Sequence, residues 1–321
     1  MKILIINDKL TGSNYEIFKW LRFFEIEVIL FTEDFHQEYE LVSITSKSYI
    51  ISSKSSKINY NIDLDFKSIW QFRGQITLPI SNAQIDDLEI LKNFNNEICK
   101  KTQFINERFY KFNKLFGICN SYINKLNILE NALSIGMKVP EYIITGNKNE
   151  LLSFQDKYKK IITKSTSDGI SFFKNNILYM SYTSIIEKSD LKDLSNYFYP
   201  SVFYKYIKKK YEIRVFYFDK KIYASAILSQ NDHTTNIDYR RYNYHRPNRI
   251  VPFTLPIRIQ NQITKLMNLC NFNTGSIDLI YSTSGAFYFL EINPEGLYGH
   301  VGFICNFYLE KIIAETLINN E

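Results

Sequence analysis

Asp278, Glu291 and Asn293 carry the chemistry that this sequence offers most openly. The run Phe289-Leu290-Glu291-Ile292-Asn293-Pro294-Glu295-Gly296 follows Ser276-Ile277-Asp278-Leu279-Ile280 after one short turn, Ser282-Thr283-Ser284-Gly285. Both segments read as strands of one β-hairpin. A turn centred on Thr283-Ser284 places Asp278 opposite Phe289. Because side chains alternate faces along a strand, Asp278, Glu291 and Asn293 then project from one face. Three oxygen donors on apolar strands suit Mg²⁺, which takes a few carboxylates and completes its shell with nucleotide phosphate oxygens. A Glu-x-Asn triplet alone is a weak signal, since acidic residues at strand ends are usually solvated. Asp278 strengthens it, because Asp is disfavoured in a strand between Ile277 and Leu279.

The elements that must position these residues are legible from periodicity. Lys2–Asn7 reads as a buried first strand, Asn14–Phe24 as a helix and Val28–Phe31 as a second strand, the order of a small α/β unit. Residues 41–69 alternate apolar and polar, which predicts further strands, ending at Ile69-Trp70-Gln71-Phe72-Arg73-Gly74. Asn82–Lys100 has helical spacing. A soft boundary falls within residues 101–118. Ser121–Ile135 reads as a helix stopped by Gly136. Strands follow at Tyr142–Thr145, Ile161–Lys164 and Val202–Ile207. Glu212–Phe218 and Lys221–Ser229 form a hairpin around Asp219-Lys220. Pro256–Asn271 is an amphipathic helix, and a last helix covers about Phe303–Ile318.

A chain of 321 residues can bury a large core and hold two or three subdomains. Its 45% apolar and 22% charged residues are those of an ordinary globular protein. No apolar run is long enough for a transmembrane helix, and the first residues turn polar too soon for a signal peptide. The four cysteines, Cys99, Cys119, Cys270 and Cys305, show no metal or disulfide spacing, which suits a reducing cytoplasm. A net charge of +6 is compatible with a solvated basic surface or with an anionic ligand, a nucleotide or an acidic peptide. No nucleic-acid-binding motif is present.

Taken in order, the motifs resemble the ATP-grasp superfamily over roughly Asn120 to the C-terminus. Asn124-Lys125 before a helix, Gly136 and Val139-Pro140 is similar to that family's entry segment. Lys164 before Ser165-Thr166-Ser167-Asp168-Gly169 resembles its second nucleotide-binding lysine. Glu212-Ile213-Arg214-Val215 resembles its E-x-R-V strand, and Asp278 with Glu291-x-Asn293 its magnesium site. Within the superfamily the sequence looks most like the microviridin-type graspetide maturases, especially those of grasp-with-spasm systems. Trp70-x-x-Arg73, Tyr211–Val215, Ala226–Gln230 and Asp238-Tyr239-Arg240 carry that likeness. It departs at Tyr204-Lys205-Tyr206, where those enzymes often have an acidic or Gln-rich hinge.

The resemblance implies an α/β (α+β) chain with the ATP-grasp fold. An N-terminal α/β pre-ATP-grasp domain would span 1–118, a central subdomain 119–200 and a C-terminal subdomain with the metal site 201–321. It implies ATP and Mg²⁺ as cofactors, with Lys125 and Lys164 on the phosphates, the backbone of Tyr206 and Ile207 at the adenine, and Glu212 at the ribose. Arg214 would stabilise the acyl phosphate. Arg240 would grip the γ-phosphate or the substrate carboxylate, a role that Arg241 could take instead. Glu212 could equally form a cross-strand ion pair with Lys210 or Lys221. Lys208-Lys209-Lys210 reads most simply as a solvated loop.

The implied activity is an ATP-dependent ligase. It would activate Asp or Glu side chains of a ribosomal precursor peptide, leader plus core, and close macrocyclic esters with Thr or Ser or amides with Lys. Members of that family can form homodimers, though no helix here announces an interface. Two other readings stay open: a carboxylate–amine ligase acting on a small molecule or protein tail, and a non-catalytic nucleotide-dependent peptide-binding protein.

Overall fold

The computed structural model describes residues 1–8, 12–32, 38–74, 76, 87–109, 115–117, 124–166, 171–175, 177–232, 235–239, 241, 243, 245 and 247–320. The chain forms two compact units. One comprises Met1–Tyr122, Phe272–Gly275 and Pro294–Glu321, and the other Ile123–Asn271 and Ser276–Asn293. Among the described residues no helix is long and apolar enough to cross a membrane.

The first unit starts with β1 (Lys2–Asn7), α1 (Gly12–Phe23) and β2 (Glu27–Thr32). Ile3, Leu4, Ile5 and Ile6 are wholly buried, as a strand covered on both faces demands. An antiparallel sheet follows, β3 (Tyr39–Ile44), β4 (Tyr49–Ser53) and β5 (Asn59–Asn61). Then come a single turn α2 (Ile62–Asp65), β6 (Ser68–Phe72), α3 (Leu88–Phe109) and β7 (Leu115–Gly117). Strands β2, β1, β6 and β7, in that order, form a parallel sheet. Gly117 lets β7 approach β6: its φ is +110°, and a β-carbon there would lie 1.8 Å from the Gln71 carbonyl oxygen. Trp70 is fully buried and donates its indole N–H to Asn14 Oδ1 at 3.1 Å.

The second unit opens with α4 (Lys125–Ser134), β8 (Tyr142–Asn147), α5 (Lys148–Tyr158) and β9 (Ile161–Thr163). Asn147 caps α5 by accepting from the amides of Asn149 and Glu150. Next come a hairpin, β10 (Ser171–Lys174) and β11 (Ile177–Met180), then β12 (Ser184–Ile186) and β13 (Tyr197–Lys205). One antiparallel sheet has the order β12-β9-β13-β8, with α5 packed on it. Leu151, Ile161, Leu191 and Phe203 fill that interface. The other sheet is built from β14 (Lys209–Phe218), β15 (Lys221–Leu228), β16 (Arg249–Pro252), β17 (Thr274–Ser282) and β18 (Phe287–Asn293), ordered β16-β15-β14-β17-β18. Its β14–β15 turn places Asp219 and Lys220 at φ +45° and +65°, the left-handed pair that a two-residue hairpin requires. Helix α6 (Ile257–Leu269) precedes β17 and buries Ile263, Leu266 and Met267. Two helices, α7 (Gly299–Ile304) and α8 (Leu309–Asn319), return to the first unit, where α8 packs against α1 and β6.

Three sequence expectations change. The single last helix is two, because Asn306 and Tyr308 adopt left-handed backbone between them. The helix expected over 82–100 runs from Leu88 to Phe109, and residues 82–86 lie outside the described set. The β17–β18 register differs as well: Asp278 faces Glu291, not Phe289. The turn holds one more residue than expected, with Gly285 at φ +80°, and a bulge at Leu290 adds another. One slip turns every side chain to the other face; two restore it. Asp278, Glu291 and Asn293 therefore still share a face.

Candidate active site

Adjacent strands bring the acidic residues together. On β17 and β18, Asp278 and Glu291 are direct register partners, and Asn293 lies two residues beyond Glu291 on the same face. Neighbouring β14 contributes Arg214, whose Nη1 reaches both carboxylate oxygens of Asp278, at 2.8 and 2.7 Å. Lys164, just past the end of β9, places its ammonium 3.1 Å from Glu291 Oε2, and Lys125 stands 3.9 Å from the same oxygen. Among the described residues, two carboxylates thus face three cations within one largely buried cluster. Burial works against the Arg214 charge, but Asp278, Tyr239 and Glu291 outweigh it and hold the guanidinium firmly protonated.

Lys125 occupies the first position of α4, directly after the Asn124 cap, whose side chain accepts from the Leu126 amide. A cation there opposes the helix dipole, which favours negative charge at an N-terminus. Helix stability gives no reason for a lysine at that position. An anion held by both the lysine and the helix end does.

Glu212 shares the Arg214 face of β14, and its ion-pair partner is neither Lys210 nor Lys221. It pairs with Lys209, whose side chain is 3% exposed and whose ammonium also donates to the Ile237 carbonyl at 3.0 Å. The expected solvated loop at 208–210 is thus corrected: Lys209 begins β14 and is buried. Desolvation pushes the Glu212 carboxyl above its ordinary range, against the pull of Lys209. Tyr204 also escaped the sequence reading. Its ring lies beneath the Lys164 ammonium, 5.6 Å from nitrogen to centroid. Burial, with Glu291 nearby, pushes its phenol up to about 12, so it serves as a neutral platform at any ordinary pH.

The remaining residues are placed less directly. Strand β13 ends at Lys205, so Tyr206 and Ile207 lie just beyond it; the Tyr206 amide donates to the Lys160 carbonyl at 3.0 Å, and Ile207 is buried. Arg240 lies outside the described residues. Arg241 sets its guanidinium over Tyr182, 5.1 Å from the ring centroid, and 3.4 Å from Ser184 Oγ, on an exposed surface.

Among the described residues no three of His, Cys, Asp and Glu stand together as metal ligands. Two carboxylates and one amide oxygen on a shared face nevertheless fit a hard divalent cation that keeps water or phosphate in its shell. The surrounding ammonium and guanidinium groups suit the phosphates that would accompany it.

No protein-family model and no curated protein sequence matches the chain. Solved structures match end to end. The RiPP-associated ATP-grasp ligase of Chryseobacterium gregarium, solved with ADP and with a leader and core peptide, aligns over 100% of this chain and 97% of its own, at 22% identity and a TM-score of 0.82. The macrocyclase MdnC of Microcystis aeruginosa MRC, bound to the precursor peptide MdnA, aligns over 100% of both chains at 21% identity and a TM-score of 0.76. The ATP-grasp ligase PsnB, complexed with a phosphomimetic variant of its minimal precursor, Mg and ADP, covers 99% of this chain and 98% of its own at 16% identity and a TM-score of 0.70. At these identities the likeness establishes the fold.

Proposed function

We propose that this chain, which carries the ATP-grasp fold, is an ATP-dependent ligase that closes macrocycles in a ribosomal precursor peptide. The observation that carries the reading is the cluster of Arg214, Lys125 and Lys164 around the paired carboxylates Asp278 and Glu291. The two halves of the cluster neutralise each other without ligand, and a ligand that is both polyanionic and metal-bound can engage both. Magnesium triphosphate is such a ligand: its metal would take the carboxylates and its phosphates the cations. The peptide part of the reading is supported by the end-to-end match to ligases solved with precursor peptides.

The reaction follows from these groups. An Asp or Glu side-chain carboxylate of the core attacks the γ-phosphorus, ADP departs, and an acyl phosphate forms. A Thr or Ser hydroxyl, or a Lys amine, then attacks the acyl carbon, and phosphate leaves. Each ring removes the elements of one water. Phosphoryl transfer of this kind needs positioning and charge neutralisation more than covalent help. Lys125 and Lys164 would hold the phosphates, and Asp278, Glu291 and Asn293 would hold Mg²⁺, which would supply Lewis acidity to the phosphoryl transfer. Arg214 would stabilise both the transferring phosphoryl group and the acyl oxyanion. Glu212 accepts from the ribose, Tyr206 and Ile207 present backbone to the adenine, and Arg240 meets the γ-phosphate or the substrate carboxylate. The same reading includes a cytoplasmic setting and a homodimer, the latter tested by light scattering.

Intact mass of the cognate precursor after incubation with protein, ATP and Mg²⁺ tests the proposal. Losses in steps of about 18 Da, one water expelled per acyl transfer, are the expected result, and hydroxide sensitivity separates ester from amide. An unchanged mass, with ADP formed only when small amino acids are supplied, would move the assignment to a small-molecule ligase. Peptide binding without turnover would make it a recognition protein.

A further inference from the structure

The two oxygens of Glu212 are used unequally. Oε1 accepts from the Lys209 ammonium and, at 3.3 Å, from Ser229 Oγ. Among the described residues, no hydrogen bond reaches Oε2. The donors on Oε1 are themselves fixed. Lys209 is held a second time by the Ile237 carbonyl. Ser229 is almost fully buried, receives a hydrogen bond from Gln230 Nε2 at 3.2 Å, and its carbonyl accepts from Thr235 Oγ1 at 3.0 Å. Thr235, fully buried, also meets Asn248 Oδ1 at 3.1 Å. An ammonium this deeply buried is tolerated only when carboxylate and carbonyl partners surround it. The network therefore fixes the carboxylate plane of Glu212 as well as its charge.

We propose that Lys209 and Ser229 are positioning residues for nucleotide selection: by occupying Oε1 they hold Oε2 of Glu212 as an acceptor for the vicinal hydroxyls of a ribonucleoside triphosphate. The proposal rests on the reading of Glu212 as the ribose acceptor of an ATP-dependent ligase. A carboxylate free to rotate would offer either oxygen in many directions. One pinned on a single oxygen presents the other along one line, and a nucleotide lacking a hydroxyl leaves that buried acceptor unpaired. Lys209 touches no substrate atom in this account; it acts through Glu212.

The test uses the full chain and three probes with Mg²⁺: ATP, 2′-deoxy-ATP and 3′-deoxy-ATP, each titrated calorimetrically. The wild-type protein should prefer ATP over at least one deoxy analogue by roughly 10- to 100-fold, the worth of a hydrogen bond to a charged acceptor. Glu212→Gln should erase most of that preference. Lys209→Met should weaken ATP binding about tenfold and bring the three probes to within about threefold of one another. Ser229→Ala should do the same in smaller measure. In the Lys209→Met/Glu212→Gln pair the first substitution should add almost nothing to the second, since both remove one function. Should Lys209→Met fail to fold, Lys209→Arg, which keeps the charge and should keep most of the preference, and Ser229→Ala, which should lose a measurable part of it, carry the comparison. Full discrimination in Lys209→Met or in Ser229→Ala, alongside its loss in Glu212→Gln, would overturn the positioning role and leave the ribose assignment standing. Discrimination that survives Glu212→Gln would overturn both. A wild-type protein that binds none of the three would overturn the ligase reading itself.

Discussion

Replacing Asp278 with Asn keeps the shape of the side chain and removes its charge. Arg214 Nη1 contacts both Asp278 oxygens, and the two side chains are only 13% and 19% exposed. Breaking a buried pair by removing one partner costs about 3–5 kcal/mol. Here a single nitrogen makes both contacts, some solvent remains, and Glu291 still attracts the guanidinium. The loss should therefore fall on the low side, about 2–3 kcal/mol. Asp278 and Arg214 belong to the second unit, and at about 2–4 °C per kcal/mol for a domain of about 150–250 residues its Tm should fall by roughly 4–12 °C. Arg214→Met should cost a similar amount, because it leaves Asp278 facing Glu291 with its close counter-charge gone. The Asp278→Asn/Arg214→Met double variant should recover at least about 1 kcal/mol relative to the sum of the single losses. Thermal unfolding of the four proteins without nucleotide, at one pH and one salt concentration, measures all three terms. If the single losses simply add in the double variant, Arg214 and Asp278 are not energetically coupled, and their close contact does not neutralise the cluster. All three variants should also lose ring formation, because either substitution removes a group from the phosphoryl-transfer site.

Lys125→Met should change Tm by less than the equivalent of about 1 kcal/mol, since relief of the α4 dipole offsets the lost contact with Glu291, while calorimetry shows ATP affinity falling; a larger stability loss would mean Lys125 is structural. Lys164→Met should weaken ATP more than Lys125→Met in the same titration, because Lys164 sits closer to Glu291 and is backed by the Tyr204 ring. Glu212, with its carboxyl raised by burial and faced by Lys209, Asp278 and Asp238, loses its ionised acceptor as pH falls through that raised value. ATP affinity should therefore decline on acidification before ordinary carboxylates titrate near about 4.3, and in Lys209→Met the decline should begin at higher pH; equal affinity down to that range would refute the burial argument. Gly117→Ala should destabilise the first unit by about 3 kcal/mol or more, since it combines a left-handed backbone with a clash against the Gln71 carbonyl, and circular dichroism of the variant would show it.

Some of this architecture was legible because its cause is local. Alternation with a two-residue turn gives the β14–β15 hairpin, and an unbroken Ile-Leu-Ile-Ile run gives β1. The break between α7 and α8 was available in part, since Asn306 is a residue type that tolerates left-handed backbone. Lys209 was not available. Residues three apart on a strand point to opposite faces, so no alternation rule pairs Lys209 with Glu212; the contact arises where the chain enters β14 out of the irregular residues 206–208. Tyr204 was hidden for another reason. Among 24 tyrosines and 25 phenylalanines, nothing in its neighbourhood marks one ring as the platform under a lysine.

The β17–β18 hairpin shows how three residues can share the expected face while their expected register is wrong. The sequence offers a turn and two strands, and neither Gly285 nor Leu290 announces that each adds one unmatched residue. Either shift alone would have carried Asp278 to the face opposite Glu291, where no shared cation could reach both. Together they move the partner of Asp278 by two residues and preserve the face. They also change what the site can do. Opposite Phe289, Asp278 would stand across from a ring, diagonal to Glu291 at about 7–8 Å. Opposite Glu291, two carboxylates stand at direct-pair distance, about 4.5–5.5 Å between β-carbons. Like charges so placed repel, and among the described residues Arg214, Lys164 and Lys125 offset that repulsion. On the proposed function, a metal that took the carboxylates would leave those cations to be re-partnered, and phosphate oxygens would arrive with it. The bulge thus builds a carboxylate pair neutralised by the same cations to which the proposed function assigns the nucleotide phosphates. On this arrangement Mg²⁺ alone should bind poorly, and Mg²⁺ with ADP should bind well.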